Sequence, residues 1–391
     1  MKKIIACFMA VLIAISCTSI STFAKKSEKS KAEFTSVDEF QLEENVRSAY
    51  LIEASSGKVL FAYNEFNPAP IASVTKVMTL LLVAEALDLG RFDLDTIVSV
   101  SSHAASMGGS QVFLEEGERI SVRDLIKSTV IASANDAAVA LAELTSGSEQ
   151  SFVKSMNKRA EELGLKNTSF ENVTGLDDTV TNHFSCAADI GKISKELIRH
   201  SIILEYSSIW QDTIRNGEFT LTNTNRLVRY YDGCNGLKTG STDKAGYCVS
   251  ASAKRGNMQL IAVILGAETR DSRNKAAREL LDFGFSNFAL YENNSDYVES
   301  IPVLCGTKDF VTAHSTPFST VVSKGDTSSV ELVYDIPEEL FAPISEGDII
   351  GRITYKLRGE QLGYSDIYAA DSVERITFWD VFVRMLRMII E

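Results

Sequence analysis

Ser73 and Lys76 stand three residues apart, a hydroxyl and an amine that can share one proton. On a helix this spacing puts both side chains on one face, one turn apart. A lysine pressed into apolar surroundings tends to lose its proton, because desolvation disfavours the ammonium form. The neutral amine can then take the hydroxyl proton and make the serine a nucleophile. The spacing alone is cheap: Ser55, Ser151, Ser155, Ser241 and Ser272 also have a lysine three residues on. Only Ser73 opens a strongly apolar helical stretch, after a loop punctuated by Pro68 and Pro70. There the positive end of the helix dipole would act on it, and its own N–H would be free to face an oxyanion.

Two further pieces bear chemistry. In Ser133-Ala134-Asn135 a hydroxyl and an amide two residues apart can converge on one side of a cleft, the serine relaying a proton and the asparagine holding a substrate amide. Taken alone, this site reads better as a helix cap before Asn135-Asp136. Lys238-Thr239-Gly240-Ser241 contains the chain's single Lys-Thr-Gly. Lys238 and Thr239 can bind a carboxylate, Gly240 lets a substrate approach closely, and an exposed strand edge can pair with an extended peptide. The bland alternative is a polar strand end. What raises all three is their combination and order, on helix start, loop and strand.

The elements that would position them follow from periodicity. Apolar runs at 49–52 and 59–62 flank Ser55-Ser56-Gly57 as a hairpin. Val74, Val77, Met78, Leu81, Leu82 and Ala86 give a helical face over 73–87, ended by Gly90. Helices are expected at 122–130, 135–144, 149–163, 187–198 and 272–285. Strands are expected at 236–240, 246–253 and 258–266. Strands at both ends with helices between them predict an α/β (α+β) domain, an antiparallel sheet covered by helices, over 36–290. Residues 291–371 read as a small all-β domain, with strands at 298–304, 318–322, 329–334 and 349–355.

The ends carry their own signals. Lys2 and Lys3, the apolar run 4–15, and Thr22 and Ala24 at a small-residue cleavage site predict a secretory signal over 1–24, followed by a flexible leader at 25–35. Cys17 raises a lipoprotein alternative, weakened by Ala14 where leucine is usual. In 373–391, Ile376, Trp379, Phe382, Val383, Leu386 and Ile390 fall on one helical face, which predicts an amphipathic helix lying in a membrane surface rather than packed on its own protein. The net charge of −13 weighs against nucleic acid as a partner. His103, His183, His200 and His314 show no metal spacing and read as four unrelated histidines. Beyond the signal, Cys186, Cys234, Cys248 and Cys305 read as buried small apolar residues.

The three motifs in this order resemble the low-molecular-mass penicillin-binding proteins with D-alanyl-D-alanine carboxypeptidase activity. The likeness extends through Pro70–Lys76, Ser133–Ala138, Gly236–Thr242 with Ala245-Gly246-Tyr247, and Leu165–Thr168 with Gly175-Leu176. The resemblance implies a β-lactamase/transpeptidase-like fold. It also implies that Ser73 attacks the carbonyl between two terminal D-alanines of a peptidoglycan stem peptide, with Lys76 as its base. Ser133 would pass a proton to the departing D-alanine and Asn135 would position the peptide. Lys238 and Thr239 would hold the carboxylate, beside Gly240. The N–H groups of Ser73 and Ser241 would form the oxyanion hole. β-Lactam antibiotics would acylate Ser73. No metal or organic cofactor is implied, and the enzyme would work exported, on the outer face of the bacterial cytoplasmic membrane. Some relatives carry arginine near Thr224; Arg226 is shifted from that position, which leaves a secondary carboxylate contact unassigned.

Two rivals are weighed against this. A class A β-lactamase needs Glu-x-x-x-Asn, yet Val153, Leu163, Thr168 and Asp178 stand four residues before Asn157, Asn167, Asn172 and Asn182. Ala134 also replaces the aspartate of its second motif. An inactive peptidoglycan-binding scaffold is opposed by the intact Ser73, Lys76, Ser133 and Lys238.

Overall fold

The computed structural model of the chain describes residues 40–178, 180–294 and 299–390. The expected signal and leader, 1–35, lie outside the described residues.

Five strands make the central sheet: β1 (Ser48–Glu53), β2 (Val59–Tyr63), β3 (Cys234–Thr242), β4 (Gly246–Arg255) and β5 (Met258–Ala267). Their order is β2-β1-β5-β4-β3, antiparallel throughout. The strand carrying Lys-Thr-Gly, β3, is therefore an edge strand of this sheet.

The sheet is covered on both faces, and the strand period sorts the side chains. Tyr50 and Ile52 of β1, with Ile261 and Val263 of β5, face a layer of helices α1 (Lys76–Asp88), α2 (Val122–Ile131), α3 (Asn135–Ser146), α4 (Glu149–Glu162) and α5 (Ala187–Leu197). Ala49 and Leu51, with Leu260 and Ala262, face α6 (Arg270–Asn287) through its Ala276, Ala277, Leu280 and Leu281. This is the expected α+β class, an antiparallel sheet covered by helices.

Two sequence expectations about the first helix change. The apolar stretch opens as a 3-10 turn, Ala72–Thr75, and the α-helix begins only at Lys76. The helix is also buried almost all round, not along one face, with Leu80, Val83 and Ala84 as buried as Val77 and Leu81. It sits in the middle of the helical layer, where every side needs an apolar neighbour.

Beyond α6 the chain runs straight into β6 (Phe288–Asn293), which crosses residue 290. The described strands that follow are β7 (Glu299–Leu304), β8 (Phe310–Ser315), β9 (Phe318–Ser323), β10 (Val330–Asp335), β11 (Leu340–Phe341), β12 (Ile349–Leu357) and β13 (Glu360–Ala369). Six of them form a sheet of order β10-β12-β13-β8-β7-β11 around Val311, Ile353, Tyr355 and Ile367. β6 pairs with β9, and Phe288, Leu290 and Val321 join the core beneath α6.

The terminal helix α7 (Phe378–Ile390) starts later than residue 373. Val373 is fully buried and exchanges backbone hydrogen bonds with Ile344, which keeps residues 373–377 out of the helix. Thr377 and Asp380 cap the helix start, with Thr377 N–H donating to Asp380 Oδ2 at 2.8 Å. Among the described residues no helix is long and apolar enough to cross a membrane. Cys186, Cys234 and Cys248 are buried as expected, whereas Cys305 is exposed.

Candidate active site

Ser73 lies in the 3-10 turn, directly after Ala72, whose φ of 47° is in the left-handed region. Alanine pays a steric cost there, and the surroundings hold it. Thr75 Oγ1 donates to the Ala72 carbonyl at 2.8 Å. Gly175 packs onto the same carbonyl, at a place where any Cβ would collide with it.

Lys76 is fully buried. Its Nζ lies 3.0 Å from Ser73 Oγ, 2.6 Å from Asn135 Oδ1 and 2.8 Å from the Thr174 carbonyl. Burial, reinforced by the charge of Lys238, pushes its pKa well below the usual lysine range, against a smaller opposing pull from Asp136. The three partners also define where the protons go. Asn135 Oδ1 and the Thr174 carbonyl can only accept, so they take the two N–H bonds of a neutral amine. The lone pair then faces the one partner able to donate, the Ser73 hydroxyl.

Ser133 links α2 to α3 with φ of 62° and is buried. Among the described residues its hydroxyl makes no hydrogen bond, so it is not joined to the Ser73–Lys76–Asn135 network. Asn135 Nδ2 donates to the Gly108 carbonyl at 2.7 Å, and its backbone N–H to Ser110 O at 2.7 Å. The capping alternative fails: Ala134 is the cap residue and has no side-chain bond to offer, while Asp136 accepts from the backbone N–H of Val112 and Leu114.

β3 brings up the third motif. A Cβ at Gly240 would stand 2.7 Å from Ser73 N and 2.9 Å from Val74 N. The absent side chain therefore makes room for the Ala72–Thr75 turn. Lys238 is buried, donates to the Thr239 carbonyl at 2.9 Å, and is pushed down to about 7 by burial and then by the charge of Arg273. Thr239 Oγ1 donates to Thr224 Oγ1 at 2.9 Å. Ser241 is exposed at the strand end.

Three contributors were missed in the sequence. The Thr174 carbonyl is backbone and has no signature in residue type. His183, read as unrelated, is buried with its Nε2 2.7 Å from Thr75 Oγ1. Arg273 of α6 is buried, and among the described residues its guanidinium hydrogen-bonds only Asn274 Oδ1, at 2.9 and 3.1 Å. Among the described residues it has no ion-pair partner, and burial together with the charges of Arg270 and Arg226 pushes it down to about 10. It is a buried cation close enough to depress Lys238.

A serine hydroxyl 3.0 Å from a buried lysine amine in a sheet-and-helix sandwich, with a lysine-bearing edge strand beside it, is an arrangement suited to serine acyl transfer. The family described as D-alanyl-D-alanine carboxypeptidase matches residues 34–269, and the penicillin-binding protein 5 C-terminal domain matches 285–375. The chain is 43% identical to D-alanyl-D-alanine carboxypeptidase DacF of Bacillus subtilis over 92% of its own length and 91% of that protein's. The crystal structure of penicillin-binding protein 5 from Haemophilus influenzae is similar with a TM-score of 0.76 and 31% identity, over 86% of this chain and 99% of that one. Penicillin-binding protein D2 of Listeria monocytogenes in its ampicillin-bound form is similar at TM-score 0.58 and 33% identity, over 63% of this chain and 100% of that one. The chain belongs to the D-alanyl-D-alanine carboxypeptidase family of low-molecular-mass penicillin-binding proteins, and it is an enzyme of that activity.

Proposed function

We propose that Ser73 is the nucleophile that removes the terminal D-alanine of peptidoglycan stem peptides, and that Lys76 is its base. The observation that carries this is the 3.0 Å contact between Lys76 Nζ and Ser73 Oγ, with the other two Lys76 contacts made to groups that only accept. As Ser73 Oγ bonds to the carbonyl carbon between the two D-alanines, its proton passes to Lys76 Nζ. The carbonyl oxygen becomes an oxyanion facing the N–H groups of Ser73 and Ser241. The C–N bond then breaks, and the departing amine takes a proton delivered from Lys76 through Ser133. Water attacks the ester and gives a proton to Lys76, which passes it to the departing Ser73 Oγ, so a peptide one D-alanine shorter is released and both residues return to their starting states. Asn135 orients the substrate amide and holds Lys76. Lys238, Thr239 and Arg273 take the terminal carboxylate, Arg273 being a buried cation in want of an anion.

The same reading makes β-lactams acylate Ser73. Incubation of the full chain with a stem-peptide analogue ending in D-Ala-D-Ala should release D-alanine. Ser73→Ala should abolish both this release and covalent penicillin labelling; persistent release from Ser73→Ala would remove Ser73 from the role.

The terminal helix supports a second reading, attachment to a lipid surface on the outside of the cell. Phe378 is 74% exposed and Trp379 69%, and Phe382, Val383 and Leu386 are exposed beside them. Such side chains gain by entering a headgroup region. A chain ending at residue 377 should lose binding to anionic phospholipid vesicles.

A further inference from the structure

The peptide group between Ala72 and Ser73 has two ends. Its carbonyl and its N–H point in opposite directions, because the amide is planar and trans. Whatever holds the Ala72 carbonyl therefore also aims the Ser73 N–H. That N–H has no acceptor among the described residues, and its nitrogen lies beside Gly240 of β3, 2.7 Å from where a Cβ there would stand.

The carbonyl end is tightly held. Thr75 Oγ1 donates its only proton to Ala72 O at 2.8 Å. His183 Nε2, 2.7 Å from the same hydroxyl oxygen, must then be the donor of that contact. The other ring nitrogen, Nδ1, accepts the backbone N–H of Glu171 at 3.1 Å. Both contacts fix one tautomer, a neutral ring with its proton on Nε2. The result is a chain of donors running in one direction: Glu171 N–H, His183, Thr75, Ala72 carbonyl. All of its side chains are buried. It ends on a residue whose left-handed φ would otherwise favour relaxation of that peptide plane.

We infer that His183 and Thr75 are positioning residues for the oxyanion hole: by fixing the Ala72 carbonyl they hold the Ser73 N–H in the direction that stabilises the oxyanion. Neither residue touches substrate. The inference rests on the assignment of Ser73 as nucleophile.

The test uses the full chain, benzylpenicillin as acylating probe, and the variants Thr75→Val, Thr75→Ser and His183→Gln. Mass spectrometry of the wild type first asks whether a penicilloyl group sits on Ser73; no adduct there would overturn the nucleophile assignment itself. Isotope-edited infrared spectroscopy then reads the stretch of the acyl-ester carbonyl, which moves to higher wavenumber when oxyanion-hole hydrogen bonds weaken. Thr75→Val should raise that wavenumber and slow acylation by roughly tenfold to a hundredfold, the scale of a weakened oxyanion donor. Thr75→Ser should restore both. His183→Gln should move the band in the same direction. An unmoved band in an adduct-forming Thr75→Val, however slow its acylation, overturns the inference. Should Thr75→Val fail to fold, an unmoved band in His183→Gln overturns it equally.

Discussion

Gly240 and Ser73 meet backbone to backbone: the glycine leaves room for the serine's amide, which a Cβ would approach to 2.7 Å. Two of the three nearest atoms belong to amide nitrogens of the nucleophile turn and the third is the Ile71 carbonyl at 3.0 Å, so no flexible side chain can yield. Gly240→Ala should displace the turn and with it the Ser73 hydroxyl. Acylation by benzylpenicillin should slow by roughly a hundredfold, since small misplacements of reacting atoms carry costs of that size. The accompanying loss of stability should be about 1–3 kcal/mol, as for other overpacked sites. Stopped-flow acylation with thermal melting measures both, and wild-type acylation in the variant would refute the contact's importance.

In the proposed roles, Lys76 and Lys238 should set opposing pH limbs. Lys76 must be neutral to accept the proton, so activity rises with pH as it deprotonates, and its lowered pKa brings that limb toward neutrality. Lys238 must be protonated to hold a carboxylate, and it loses its proton as pH rises through about 7. kcat/KM, which reports the free enzyme, should therefore fall on the alkaline side near that value. A bound carboxylate keeps Lys238 protonated, so the same limb of kcat should lie at higher pH. Coincident alkaline limbs in kcat and kcat/KM would contradict this assignment.

His183 links pH to stability. Burial pushes its pKa from 6.5 to about 4, against smaller opposing pulls from Glu171 and Asp177. The unfolded chain takes up a proton below 6.5 that the native ring resists. The stabilisation is thus complete above 6.5 and is lost as pH falls toward 4, amounting to at most about 3 kcal/mol. Melting temperature should drop across that window in the wild type, with a shallower slope in His183→Phe. Equal slopes would show that the ring titrates freely.

Arg273 should give effects of opposite sign. An unpaired buried cation destabilises the free protein, so Arg273→Met should leave the melting temperature unchanged or raise it. The same substitution should raise KM for the stem-peptide analogue by roughly tenfold or more, by removal of a charge-assisted carboxylate contact. Steady-state kinetics and a melt on one preparation decide it; unchanged KM would remove Arg273 from substrate binding.

Motifs legible in sequence were those whose chemistry is in side chains and whose neighbours are local. The pairing of Ser73 with Lys76, the hairpin at 48–63, α2 to α6 and strands β3 to β5 all follow from short-range spacing and period. What escaped lies across long separations or in backbone. Thr174 and Lys76 are joined through a carbonyl, Arg273 comes from a helix on the opposite face of the sheet, and His183 meets Thr75 across a loop. β13 was missed because Gly363 and its acidic and polar neighbours hide the alternation that buries Ser365, Ile367 and Ala369. The close approach of the Ala72–Thr75 turn to Gly240 escaped for a related reason: a sequence shows that a Cβ is absent but not which neighbour packs against the space.

The pairing of β6 with β9 has a mechanical consequence. β6 leaves α6 without a hinge, its Phe288 and Leu290 are set in the same core as that helix, and β9 returns alongside them through Val321. The β-rich part is therefore tied to the floor of the central sheet by the β6–β9 pairing and by a shared core, not by chain connection alone. If the terminal helix rides on a lipid surface, this tie helps set how far above it the cleft holding Ser73 stands, and so which depth of the cell wall supplies its stem peptides.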